Sequence, residues 1–206
     1  MPPPPLIAAG AEVVRGDIRD AGVVAAAVDG CTTVVHVAAK VGVSGTQTDF
    51  EAINVGGTAN VLAAARQRGA ERVVHVSTPS VAHIGDPIVG AVAEPAVVEG
   101  HTAFYPATKA AAEQIALAEA DHELGVVAIR PHLIWGPNDT QLVGRVITRA
   151  GGGALPVVGG GTALVDTTYI DNAVDALVTA VDRVAPTARC SGRAYVISNF
   201  EPRPVG

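Results

Sequence analysis

Basic side chains are scarce in this chain of 206 residues, and lysine is the scarcest of them. Two lysines, Lys40 and Lys109, stand against twelve arginines. Fourteen Lys and Arg against twenty Asp and Glu leave a formal net charge of −6. No basic cluster stands out, so no nucleic-acid partner is expected. Cysteine is nearly missing as well. Cys31 and Cys190 lie far apart and outside any CxxC spacing. That pattern argues for two free thiols in a reducing cytoplasm, and against a disulfide or a metal site. No apolar run reaches the roughly 18 residues that a membrane helix needs, and the opening MPPPPLIAAG has neither the basic nor the long apolar region of a signal peptide. The expected compartment is cytoplasmic, with no membrane span. Aromatic residues make up only 3%, so Ala, Val and Gly must build the core.

Apolar residues reach 49% and charged ones 17%, which is a globular balance. The length suits one domain, residues 1–206. Short apolar runs alternate with helical patterns. AEVVRG (11–16), TTVVHVAA (32–39), RVVHVST (72–78), VVAIRP (126–131) and RAYVISN (193–199) read as strands, and TALVDTTYI (162–170) as an extended segment. Between them, 21–30, 49–69, 103–125, 141–153 and 171–184 carry helical spacing. Asp20, Asp49 and Asp171 are placed as N-caps, and Gly30, Gly69 and Gly125 as ends. Strand and helix in alternation, with near-continuous apolar strands, give an α/β fold: a parallel sheet covered on both faces.

The stretch FYPATKAAAEQ (104–114) pairs one of three tyrosines, Tyr105, with Lys109. Residues four apart share a helix face. A phenol ionises near pH 10, and a nearby ammonium favours the phenolate, turning it into a useful acid/base near neutrality. Four-residue spacings are common, so the pair alone is weak. Three strand ends strengthen it. Ser77 and Thr78 close one strand at its carboxyl end, where open α/β sheets bind ligands. Ala38 and Ala39 end a second with little side-chain bulk. Pro131 closes a third.

Taken together, GDIRD (16–20), VVHVAA (34–39), NVGGTANVLAAA (54–65), VSTPSV (76–81), YPATK (105–109), RPHLIWGP (130–137) and VDTTYIDNAVDA (165–176) resemble an extended short-chain dehydrogenase/reductase of the epimerase/dehydratase superfamily. Within it the chain is most similar to the 3β-hydroxysteroid dehydrogenase group, and there to bacterial 2-alkyl-3-oxoalkanoate reductases. The motifs run in family order across roughly residues 11–204. The resemblance implies a Rossmann-type doubly wound sheet, NAD or NADP as cofactor, and a small ketone or alcohol as substrate. It implies Tyr105 as general acid/base, and Lys109 as the residue that holds the nicotinamide ribose and lowers the Tyr105 pKa. Thr78 matches the hydroxyl that bonds the reacting oxygen, with Ser80 as an alternative. Asp17 and Ile18 match the pair beside the adenine ring. Ala38, Ala39, Ser77, Pro131 and Ile134 match the residues that line the cofactor. Asn54 and Thr58 match a structural helix motif, and Tyr169, Asp171 and Asn172 are read as structural too. Trp135 is expected at the site wall.

Lys40, after the Ala-Ala pair at the expected mouth of the site, either meets a substrate carboxylate or is solvated. His132 is given no catalytic role. His36 and His75, inside strands, read as satisfied core or half-buried histidines. The family opens with a strand, a GxxGxxG turn and a helix that hold the pyrophosphate, and MPPPPLIAAG does not match it. Against the family the chain reads as a partial domain, lacking the first two strands and most of the C-terminal substrate region. The AEVV strand then either pairs with TTVVHVA, hangs free or is completed by another chain. Unpaired edges favour association, which makes a homodimer one expectation, and tight dinucleotide binding by this chain alone is not expected. Two alternatives stand beside the reductase: a nucleotide-sugar epimerase or dehydratase, against which Pro79 and Ser80 replace the usual Asp-Glu pair, and a non-catalytic NAD(P)-binding fragment.

Overall fold

The computed structural model describes residues 4–42, 44–85, 89, 90, 92, 93, 95–139, 143–152 and 158–204. Four parallel strands form its sheet, in the order β1 (Thr33–His36), β2 (Arg72–Val76), β3 (Gly125–Pro131) and β7 (Arg193–Ile197). The register is regular: His36 pairs with His75, His75 with Ala128, and Pro131 with Ile197. Two short pairs flank it. β4 (Ile134–Trp135) runs parallel to β6 (Thr168–Tyr169), and β5 (Leu164–Val165) antiparallel to β8 (Arg203–Pro204).

Helices cover both faces, as the continuous apolar strands require. α1 (Pro4–Ala8) is a single turn, and α2 (Ala21–Val28) is capped by Asp20, whose side chain accepts from the amides of Gly22 and Val23. α3 (Gln47–Phe50) passes through a π-helical turn, Glu51–Gly56, into α4 (Gly57–Gln67). α5 spans Phe104–Ala118, α6 Val143–Gly151 and α7 Ile170–Arg183. Side chains alternate across β2. Val73 joins Leu62, Ala65 and Ala116 under α4 and α5, whereas Val74 joins Val127, Ile129, Ala180 and Val184 under α7. A third cluster, Val24, Val28, Val61 and Ala64, seats α2 on α4.

Several local expectations change. AEVVRG is not a strand: residues 11–16 are irregular and exposed. A strand needs a partner for its amides and carbonyls, and among the described residues β1 pairs only with β2. Thr46, not Asp49, caps α3, with Asp49 returning the bond as the third residue of a capping box. Asp171 lies inside the first turn of α7 and makes no capping bond there. The α5 helix stops at Ala118, and Gly125 opens β3 instead. A Cβ at Gly125 would sit 2.4 Å from the Ala185 carbonyl carbon, so the chain passes too close for a side chain. The helix expected over 141–153 is found as α6, with residues 141, 142 and 153 outside the described ones.

Candidate active site

The site is built where β2 ends. Ser77 continues the ladder, its amide donating to the Ile129 carbonyl at 2.7 Å. Its hydroxyl is buried with no partner among the described residues. Thr78 turns the chain into a short 3₁₀ turn, Pro79–Ala82, and caps it. The Thr78 and Ser80 hydroxyls lie 3.0 Å apart and share a hydrogen bond. The two candidate hydroxyls thus occupy one place rather than two.

Helix α5 brings Tyr105 and Lys109 over this strand end, one turn apart. Lys109 is 3% exposed, and its ammonium donates to the Val76 carbonyl at 2.7 Å. Burial lowers its pKa to about 8, against the opposing pull of Glu113. Burial raises the Tyr105 phenol, and the Thr78 hydroxyl opposes that rise. The group that favours the phenolate is therefore Thr78. The ammonium expected to do so is turned to the Val76 carbonyl.

A layer of buried polar groups lies beneath, between the apolar core and the strand ends. The His36 ring is 2.9 Å from the Thr58 hydroxyl, and Thr58 donates to the Asn54 carbonyl. The Asn54 amide donates to the Thr108 hydroxyl and to the Lys40 carbonyl, and its oxygen accepts from the Lys40 amide. The π-helical turn places Asn54 for this double clamp. Arg130 and Glu113, each 1% exposed, form a bidentate ion pair between β3 and α5. Sequence reasoning missed this pair. Its signal was an arginine before the strand-ending proline, and a glutamate one turn after Lys109. His36 is satisfied as expected. His75 is not: fully buried beside it, with ring centres 5.4 Å apart, it has no hydrogen-bond partner among the described residues.

The other candidates are spread along the carboxyl edge. Asp17 and Ile18 form a turn held on α4 by Asn60, whose amide donates to the carbonyls of Ile18 and Arg19. Gly57 lets Ile18 in, since a Cβ there would meet Ile18 Cδ1 at 2.4 Å. Arg19 grips the Asp17 carboxylate and lowers its pKa to about 2. Asp17, Ile18 and Ala38 line one groove of about 320 Å³ along β1, while Ala39 is not among its walls. Pro131 ends β3, buried, and Ile134 opens β4, exposed. Trp135 stands edge-on to Tyr169, 5.1 Å between ring centres, and donates to the Thr167 hydroxyl. Asn199, also missed, accepts from the Tyr169 amide and from the Asn172 side chain. His132 has a buried ring nitrogen without a partner among the described residues.

This arrangement of strand ends, phenol and ammonium has a recognisable pattern. The family model described as "3-beta hydroxysteroid dehydrogenase/isomerase family" matches residues 7–204. The chain belongs to that family. It is 48% identical over 204 residues to a 2-alkyl-3-oxoalkanoate reductase of Stenotrophomonas maltophilia, covering 98% of this chain and 62% of that protein. It is 41% identical over 205 residues to a protein of the same name from Shewanella oneidensis, covering 96% and 53%. Among solved structures, a dTDP-glucose 4,6-dehydratase from Streptomyces venezuelae with NAD bound superposes with a TM-score of 0.75 at 30% identity, over 92% of this chain and 58% of that one. The Rossmann-type parallel sheet is thus that of the NAD-binding epimerase/dehydratase structures. The chain spans roughly half to three fifths of the length of these relatives. Among the described residues, no helix is long and apolar enough to cross a membrane.

Proposed function

We propose that this chain carries the proton-transfer site of an NAD(P)-dependent oxidoreductase that interconverts a secondary alcohol and a ketone. The observation that carries the reading is the meeting of Thr78, Tyr105 and Lys109 at the end of β2. Three features fit a dinucleotide. The Ser77 hydroxyl is buried without a partner, the Lys109 ammonium sits at the same strand end, and the groove along β1 joins Ala38 to the Asp17–Ile18 turn. Lys109 and Ser77 would hold the nicotinamide end, with Ala38, Ala39, Pro131 and Ile134 along its length. Asp17 and Ile18 would hold the adenine end. The chemistry a nicotinamide supplies when bound is hydride transfer to or from the carbinol carbon.

The chain's own part is the proton. In the reductive direction the Tyr105 phenol protonates the carbonyl oxygen as that oxygen gains negative charge, and Thr78 bonds the same oxygen. Burial keeps the phenol protonated at neutral pH, which is the form an acid needs. The phenolate left behind is stabilised by the Thr78 hydroxyl, until solvent returns a proton. Both relatives above are named for 2-alkyl-3-oxoalkanoates, acids whose carboxylate lies two carbons from the ketone. A β-keto or β-hydroxy acid is accordingly the proposed substrate, ahead of a sterol. The proposal includes a cytoplasmic setting, a homodimer, and no nucleic-acid partner.

The test is consumption of NADH or NADPH by this chain with a panel of 3-oxo acids and ketones. Ketone-dependent oxidation of the cofactor supports the reading. The likeness to the dTDP-glucose dehydratase favours a second one, and conversion of a nucleotide sugar with no ketone reduction would establish it. Dinucleotide binding without any turnover would mark a non-catalytic binding protein.

A further inference from the structure

Of the chain's two lysines, one is spoken for at the site and the other is not. Lys40 follows Ala39 at the carboxyl edge, and its backbone is clamped from both sides by the Asn54 side chain, at 2.7 and 3.1 Å. Asn54 in turn bonds Thr108 of α5 at 3.0 Å. The position of residue 40 is therefore wired to the helix that carries Tyr105. The Lys40 ammonium lies 5.2 Å above the Phe50 ring, and that ring packs against Phe104, the neighbour of Tyr105, at 6.1 Å. Gly45 makes room for it: a Cβ there would lie 2.6 Å from Lys40 Cε.

We infer that Lys40 receives the carboxylate of the substrate and so selects β-keto or β-hydroxy acids over neutral ketones; this rests on the oxidoreductase reading above. Elimination supports it. Lys109 is buried and donates to Val76, Arg130 is buried against Glu113, and Arg19 is held by Asp17. Lys40 is half-buried, and among the described residues no carboxylate lies within ion-pair distance of it. Asp49, an acidic group that its charge reaches, is already held by the amide and hydroxyl of Thr46. A cation resting on an aromatic face, partly shielded from water, gains more from an incoming carboxylate than one in bulk solvent does. Of the aromatic pair beside it, Phe50 is buried and Phe104 exposed, and the Phe104 ring suits an alkyl chain beside that carboxylate.

The experiment compares a 3-oxo acid with the methyl ketone of the same chain length, in the wild-type chain, Lys40→Met and Lys40→Arg. Met keeps an apolar stem on Phe50 and removes the charge. The expected result is a ratio of kcat/KM, acid over ketone, that falls about tenfold to a hundredfold in Lys40→Met, which is the loss of one charge-assisted hydrogen bond. Lys40→Arg should restore most of it. Calorimetry with the matching 3-hydroxy acid gives a readout free of turnover, and there Lys40→Met should weaken binding by a similar factor. An unchanged ratio, or unchanged affinity for the acid, overturns the inference. If neither ketone is reduced, the oxidoreductase reading falls, and the calorimetric comparison still decides whether Lys40 binds carboxylates. Failure of the 3-hydroxy acid to bind the wild-type chain overturns the inference too.

Discussion

The end of β2 and the outer flank of β1 are built in opposite ways. At the end of β2, buried polar side chains hold one another, and Ser77 and His75 are without a partner among the described residues. Arg130 grips Glu113, Asn54 spans Lys40 and Thr108, and Thr58 meets His36. At the flank of β1, residues 11–16 run irregular and exposed, and Val13, Val14, Val35 and Val37 meet solvent. The Asp17–Ile18 turn is fastened there, by Asn60 and by the close approach at Gly57. The proposed acid/base group, Tyr105, is thus positioned by contacts internal to these residues, while the surface along β1 where a dinucleotide is proposed to lie is loosely made. Positioning a proton donor and holding a cofactor are separable tasks in this fold, and the chain's own packing serves the first far better.

Breaking the Arg130–Glu113 pair should have the largest effect on stability. Arg130→Leu leaves a carboxylate buried without its partner, at a cost of about 3–5 kcal/mol. Urea unfolding should show a lower midpoint with little change in slope, and Glu113→Leu on top should recover part of the loss. A loss below 1 kcal/mol would mean that the β2–α5 end is not the rigid half.

Acid should act on the same region next. Burial lowers the pKa of His36 to about 4 and that of His75 well below its usual value, with the nearby Lys109 charge adding to both. The unfolded histidines bind protons near pH 6.5, so the unfolded state takes up more protons on acidification. Stability from these rings is complete above pH 6.5 and is lost as pH falls toward 4. His36 alone accounts for up to about 3 kcal/mol over that range. His75→Leu also removes a buried polar group that lacks a partner, so it should flatten the acid limb of the urea midpoint against pH without loss at pH 8. An unchanged acid limb contradicts a neutral His75.

The smallest effect belongs to the flank. Val14→Lys lies on exposed, irregular chain and should shift stability by no more than about 0.5 kcal/mol. A larger loss would show that this flank is covered in solution, and a change in sedimentation on the same variant would assign that cover to a second copy.

Much of this was legible in the residues. The order of strands and helices follows from apolar periodicity, and the placing of Tyr105, Lys109 and Thr78 at one strand end follows from their spacing and the strand before them, while their proposed roles come from the family resemblance. What escaped depends on partners distant in sequence. AEVVRG has the composition of a strand, yet no neighbour among the described residues pairs with it. The Arg130–Glu113 pair joins a strand to a helix 17 residues away. Asp171 sits where a cap belongs by pattern, but the chain enters α7 from β6 at Tyr169, so Asp171 falls inside the first turn and not at its cap. The Tyr105 phenol was expected to be pulled down by its helix neighbour. Burial, which no spacing reveals, pushes it up instead.

The most direct test of the account is turnover of a 3-oxo acid by Tyr105→Phe, with NADH and NADPH affinity measured alongside. The variant keeps the ring and its packing and removes the transferable proton. The account predicts a loss of about 10²–10⁴-fold in kcat, with cofactor affinity nearly unchanged because Lys109 is untouched. Turnover near that of the wild-type chain would contradict it.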